Sequence, residues 1–235
     1  MTFILPSFGA SAISAVPGGG AFTNTYSLEY DATDDGARVN TPITLSTSSA
    51  WTMSVWFKMP STLGGADRSL FNSTGSDYFR LGSFGAYNYV EVHDGSLRYY
   101  VYSSNATFTN WTHLMYAHNG SNSYNFYLNG VLETTLTYTP SNGFDIDWLY
   151  GRSGTFPTAG ALLDEVAIFD NDQSSNISAI YNGGVAGDLS PYSANLTHWY
   201  RMEEGSGSTV ANSGSTSSSD LNLQNTPTFS TSVPA

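Results

Sequence analysis

Apolar side chains recur along this chain at every second position. In 51–59, Trp51, Met53, Val55, Phe57 and Met59 fall on one face, with Trp56 and Lys58 on the other. A period of two is what a strand needs when one of its faces meets a core. The same alternation puts Trp111, His113, Met115 and Ala117 on one face of 111–118. Weaker versions predict strands over 27–31, 37–40, 79–81, 87–92, 97–102, 124–128, 131–138, 146–150 and 162–169. Asn129-Gly130 separates two of these runs. Both residues tolerate positive φ, so the pair predicts a tight hairpin turn of type I′. One short helix is predicted where Ile177, Ile180 and Tyr181 share a face. Asp172 or Ser174 is placed to cap it, and Gly183-Gly184 ends it. Strands and helices do not alternate, so the expected class is all-β: a two-sheet antiparallel jelly-roll sandwich with one short helix.

A chain of 235 residues holds one large all-β domain or two small ones. Residues 1–24 read as an arm, because Phe3, Ile4, Leu5 and Phe8 precede the break at Pro17-Gly18-Gly19-Gly20. The arm is either a flexible tail or a docking segment whose apolar residues seek a partner surface. Residues 25–190 form the jelly roll, and 191–235 supply a further strand and a Ser/Gly-rich tail packed on the same domain.

Net charge is −12, and the seven basic residues are scattered, with Lys58 the lone lysine. Such a chain has no stripe for phosphates, which argues against nucleic acid and against anionic membranes. It attracts cations, calcium among them. Without cysteine there is no disulfide framework and no thiolate chemistry, which favours synthesis in a reducing cytosol. Residues 1–16 are apolar but carry no Lys or Arg, unlike a signal peptide. No run approaches the ~20 apolar residues of a membrane helix.

In chain order, Leu28-Glu29-Tyr30-Asp31, the run 51–58, Trp111-Thr112-His113, Tyr127-Leu128-Asn129-Gly130 and Asp164-Glu165-Val166 resemble laminin-G-like (concanavalin A-like) domains. The resemblance spans about residues 26–184. Ile180-Tyr181-Asn182-Gly183-Gly184 and Trp199-Tyr200-Arg201-Met202-Glu203-Glu204-Gly205 are similar to segments that accompany such domains in tailed-phage structural proteins. This implies a non-enzymatic virion protein: a capsid decoration, head-fibre or tail-associated protein. Its expected partners are other virion proteins, sister subunits in a homo-oligomer, and a host cell-surface glycan; its expected location is the virion. A fold does not dictate function, so a carbohydrate-binding lectin module stands as the alternative, with a polysaccharide hydrolase third.

Hydrolases of this fold share the strand pattern Glu-x-Asp-x-x-Glu, which sets a nucleophile and an acid on one face. Here Glu165 is followed by Ala167 and Asp170, Glu91 by His93 and Asp94, and Glu29-Tyr30-Asp31 by Asp34. None fits, so no catalytic residues are expected. His113 lies among apolar residues and reads as a packed histidine. Strict alternation sets Asp164 beside Val166 and Ile168. An ionised carboxylate on an apolar face needs a partner or a metal. The resemblance implies a structural Ca²⁺ near this strand, held by Asp164 with Asp31; the other reading is a carboxylate capped by backbone N–H groups. Arg98, Tyr100 and Tyr102 share a face of their strand. They suit stacking on a sugar ring, and equally suit sheet packing or subunit contact.

Overall fold

In the computed structural model, residues 22–32, 34–60, 68–84, 87–94, 98–103, 108–139, 142–151, 159–217 and 219–235 are described. Their first strands are β1 (Ser27–Tyr30), β2 (Gly36–Leu45), β3 (Ala50–Lys58), β4 (Arg68–Asn72), β5 (Asp77–Phe84) and β6 (Tyr87–Asp94). Then come β7 (Arg98–Ser103), β8 (Thr112–Asn119), β9 (Ser123–Leu128), β10 (Val131–Thr137), β11 (Phe144–Leu149) and β12 (Ala161–Phe169). One helix follows, α1 (Ile177–Tyr181), and then β13 (Leu196–Tyr200), β14 (Thr209–Val210), β15 (Leu221–Gln224) and β16 (Thr228–Ser230). Two antiparallel sheets form a sandwich. Sheet A runs β10-β9-β8-β3-β12-β1-β16, with β13 also on β12; sheet B runs β14-β15-β2-β11-β4-β5-β6-β7. Residues 191–235, read from sequence as one strand and a tail, hold four strands, two in each sheet.

Alternation explains the core. Trp51, Met53, Val55, Phe57 and Met59 are all buried between the sheets, facing Phe71, Phe79, Leu81, Val90 and Ile146 of sheet B. Burying a large apolar side chain contributes about 1.5–3 kcal/mol, so this layer drives the fold. Asn129 (φ 49) and Gly130 (φ 77) adopt the positive-φ pair of a type I′ turn between β9 and β10. Asn129 also accepts the His113 amide through its Oδ1 at 2.9 Å and donates its own amide to the His113 carbonyl at 2.8 Å, which ties the hairpin to β8.

A second layer covers the outer face of sheet A. Ile180, Leu189 and Leu196 pack with Met115, Tyr127, Ala167, Phe169 and Trp199. Trp56 stacks with Tyr181 of α1 at 5.7 Å and lies 4.9 Å from the His113 ring. His113 is fully buried there, its Nε2 2.8 Å from Ser54 Oγ. Burial holds it to about pH 3, so its imidazole is neutral. Among the described residues, no comparable layer covers the outer face of sheet B.

Candidate functional site

The strand β12 forks at Asp164-Glu165. β1 pairs with its first half, Leu28 opposite Leu163, and β13 with its second, Val166 opposite Tyr200. Between them the register with β3 slips, and Glu165 takes φ 46. This bulge overturns the alternation expected from the sequence. Leu163, Val166 and Ile168 face the core, while Asp164 lies opposite Trp56 on the other side. A bulge inserts a residue and so resets which face each side chain meets.

Asp164 and Glu165 are both buried. Asp164 accepts from Asn24 Nδ2 at 2.8 Å and from the Glu165 amide at 2.9 Å. Glu165 accepts from Trp199 Nε1 at 2.5 Å and pairs with Arg201 Nε at 3.4 Å. Burial raises both acids, Glu165 to about 8, and their mutual repulsion raises Asp164 further. Arg201 also donates to the Thr23 carbonyl at 2.6 Å and lies 4.6 Å from the Phe22 ring. Glu203 accepts the amides of Thr25 and Tyr26 at 2.8 and 3.0 Å. The pair therefore clamps residues 22–26. Asp31 is not part of it: Tyr30 pairs with Ala161, so Asp31 lies at the opposite end of β1, about 13 Å along the strand. There it accepts from Thr228 Oγ1 at 3.2 Å. Among the described residues, no group of three His, Asp or Glu side chains is arranged to hold a metal. Phe3, Ile4, Leu5 and Phe8 lie outside the described residues.

The outer face of sheet B is built differently. Strand register sets Asn222, Arg38, Trp148, Asn72, Tyr78, His93 and Arg98 in one row across it. A second row holds Ser69, Arg80, Glu91 and Tyr100, and a third Gly82, Tyr89 and Tyr102. Arg98, Tyr100 and Tyr102 are thus brought together on the edge strand β7, and the register aligns them with His93, Glu91 and Tyr89. The side chains of Arg98 and Tyr102 lie outside the described set; Tyr100 is 43% exposed.

The rings on this face are fixed. Tyr78 stacks on His93 at 4.8 Å, takes the Arg80 guanidinium at 3.6 Å from its centroid, and donates to Glu91 Oε1 at 2.9 Å. Tyr89 meets Tyr100 edge-on at 5.4 Å and lies flat on Gly82, where a Cβ would come within 2.2 Å of its Cζ. The Arg38 guanidinium lies 5.8 Å from the Trp148 ring. Three side chains here are buried with a polar atom lacking a hydrogen-bond partner: Ser69 Oγ, Asn72 Nδ2 and Trp148 Nε1. An unsatisfied buried polar group costs about 1–3 kcal/mol. Such atoms also occur on the side of sheet A, at Asn24 Oδ1, Trp111 Nε1 and His113 Nδ1.

Sequence reasoning found the β7 edge of this surface and missed Trp148, Tyr78, Arg80 and Asn72. Alternation within β5 and β6 carried a signal, since Tyr78 and Arg80, and Tyr89, Glu91 and His93, each fall on one face. The neighbourhood of Trp148 and Asn72 depends on sheet order, which has no local signal.

Among the described residues, a cleft of 320 Å³ lies between β2 and the β12–β13 edge. Its floor is Ile43, Leu45, Trp51, Ile168 and Phe169, and its rim includes His198 and Asp170. Burial keeps His198 neutral, at about 4. The cleft offers no free ring face, because Trp51 packs against Tyr116, His118 and Tyr124 and its indole N–H is spent on the Ser46 carbonyl.

Residues 31–176 match the family model Laminin_G_3, described as concanavalin A-like lectin/glucanases superfamily. No curated protein matches. Among solved structures, one provisionally described as a carbohydrate binding protein from Bacteroides ovatus is 17% identical with a TM-score of 0.66. The match covers 91% of this chain and 61% of that longer one. The SAP-like pentraxin from Limulus polyphemus is 13% identical, TM-score 0.49, covering 67% of this chain and 82% of that one. The binding domain of botulinum neurotoxin DC in complex with SialylT is 10% identical, TM-score 0.46, covering 70% and 53%. At these identities the likeness is one of fold.

Proposed function

The chain belongs to the Laminin_G_3 family of the concanavalin A-like lectin/glucanases superfamily, and from that premise we propose that it is a carbohydrate-binding module which holds glycan on the outer face of sheet B without cleaving it. One observation carries this reading: the half-buried Tyr89 and the exposed Tyr100 meet edge-on on that face, where among the described residues no second layer covers the sheet. Rings that reach solvent supply flat apolar area for a sugar. The buried acid pair does not suit glycoside cleavage, because Asn24, Trp199 and Arg201 occupy its oxygens. The test is a glycan array with the wild-type chain and Tyr100→Ala. Tyr100 is exposed, so its loss leaves the fold intact while weakening binding by about 1–3 kcal/mol, in the range of stacking contacts. An array with no bound glycan, or a variant that binds as the wild type does, refutes the assignment.

A second reading, a surface component of a tailed-phage virion, rests on the tail resemblance and on the clamp at residues 22–26. Phe22 belongs to the layer over sheet A, on the side opposite the proposed glycan face. That suits a protein anchored at one face and binding at the other. Detection of the protein in purified virions, lost on deletion of residues 1–21, is the matching experiment.

A further inference from the structure

We propose that the cleft between the two sheets is a second binding site, separate from the outer face of sheet B, for a small apolar molecule that ends in a hydrogen-bond donor, a hydroxyl or an ammonium group. The walls set the apolar part. Ile43 and Leu45 come from sheet B, and Trp51, Ile168 and Phe169 from sheet A. Ile43, Leu45 and Trp51 belong to the core yet keep 5–6% of their surface exposed. The sheets part here over 320 Å³, at the low end of the range for small-molecule sites, about 300–1,000 Å³. An apolar gap offers water few partners, so an apolar ligand replaces it readily. A sugar suits it poorly. Trp51 has no free ring face, and its indole N–H already donates to the Ser46 carbonyl at 2.9 Å.

His198, which lines the cleft, sets the polar end. The Thr197 hydroxyl gives its one proton to the Ile168 carbonyl at 3.0 Å. Its oxygen lies 3.0 Å from His198 Nδ1 and therefore accepts there. A neutral imidazole carries a single N–H, and in this pair it sits on Nδ1. Nε2 is left as an acceptor. Among the described residues it has no hydrogen-bond partner, and it is not sealed from solvent. The other polar group at the mouth, Asp170, also accepts: it is exposed, and one of its oxygens takes Asn195 Nδ2 at 2.9 Å. Among the described residues, no lysine or arginine lines the cleft. A ligand carboxylate would meet Asp170 with no cation to offset it, whereas a hydroxyl or an ammonium supplies the donor that His198 and Asp170 both lack.

Four probes of similar body separate the possibilities: 2-phenylethanol, its methyl ether, 2-phenylethylamine and phenylacetate. Each is titrated into the full chain to about 10 mM, since ligands this small bind near the millimolar range. The readouts are the methyl NMR shifts of Ile43, Leu45 and Ile168 and the ring-nitrogen shifts of His198. The alcohol, the amine or both should shift the methyls saturably and move the Nε2 resonance. The ether and phenylacetate should bind about fivefold more weakly or worse, as expected for a lost hydrogen bond. An amine tighter than the alcohol assigns Asp170 as the second partner; the reverse leaves the contact to His198. His198→Phe keeps a ring and should bring the alcohol down to the affinity of the ether. The assignment is overturned by an ether as tight as the alcohol, by phenylacetate as tight as both donors, by a His198 spectrum with the proton on Nε2, or by no saturable shift with either donor. The cleft and the outer face of sheet B share no residue, so each of these outcomes leaves the glycan reading where it stood.

Discussion

Replacing Glu165 with glutamine should stabilise this protein at pH 8 and do almost nothing at pH 4.5. Glu165 is 3% exposed, and burial lifts its carboxyl from 4.5 to about 8 despite Arg201 and the Trp199 N–H. The folded state therefore holds a proton on Glu165 across a range in which the unfolded chain has released it. Between those values the folded state binds the extra proton, so stability falls as pH rises, by 1.36 kcal/mol per pH unit. The stabilising contribution is fully present below pH 4.5 and is lost by about pH 8. Integrated over that window, the wild type forgoes about 4 kcal/mol at pH 8. Glutamine keeps the shape and the acceptor for Trp199 Nε1 but has no proton to lose.

Urea unfolding of wild type and Glu165→Gln at pH 5 and pH 8 reads this directly, with Asp164, also raised, as the source of any slope left in the variant. The expected midpoint of the wild type drops toward pH 8, and that of the variant drops by less. If the variant is the weaker protein at both pH values with an unchanged slope, then Glu165 is ionised in the fold and its ion pair with Arg201 stabilises it. That result would refute the reasoning.

Two histidines should behave in the opposite sense. His113 at about 3 and His198 at about 4 are both lowered by burial, so their stabilising contribution is present above the unfolded pKa and lost as pH falls below it. Their ring carbons should show no titration by NMR between about pH 5.5 and 8, unlike an exposed histidine; a midpoint near 6.5 for either would remove the burial argument. Gly82→Ala should push the Tyr89 ring off the sheet, since the new Cβ would meet Cζ at 2.2 Å. Overpacking of this kind costs about 1–3 kcal/mol, and glycan affinity should fall with it. An unchanged melting temperature and unchanged affinity would show that Tyr89 is not preset by Gly82.

Local patterns made parts of this fold legible. The five alternating residues of 51–59 all reach the core, and Asn129-Gly130 forms the turn its residue types demand. β4 was not predicted, because Leu70 and Phe71 are adjacent in sequence yet both face inward across a register slip. β15 and β16 are four and three residues long and pair with β2 and β1 at the other end of the chain. No local pattern encodes such a pairing. Asp164 was drawn onto the wrong face by one bulge, and its neighbour Glu165 carries the positive φ that makes the bulge. Of the outer face of sheet B, local alternation placed Arg98, Tyr100 and Tyr102 together on one side of the edge strand, while its centre joins β11, β4 and β5, a juxtaposition with no local signal.

The two outer faces of the sandwich differ in a way that bears on which one meets a ligand. On sheet A, apolar residues of α1 and 182–196 close over Met115, Phe169 and Trp199, and the one histidine beneath them is neutral and bonded to Ser54. That arrangement covers apolar area, as folding alone asks, although Asn24 Oδ1, Trp111 Nε1 and His113 Nδ1 on this side also lack a partner. On sheet B, the described residues form no such cover. The face is instead shielded by its own long side chains, with Arg80 on Tyr78, Arg38 on Trp148 and Tyr89 on Gly82. Beneath them Ser69, Asn72 and Trp148 keep polar atoms unbonded. Each is a cost that alanine, valine or phenylalanine at the same position would avoid. A surface that holds the Tyr89 and Tyr100 rings against each other is preorganised for the sugar contact proposed above, since fixed rings lose little entropy on contact.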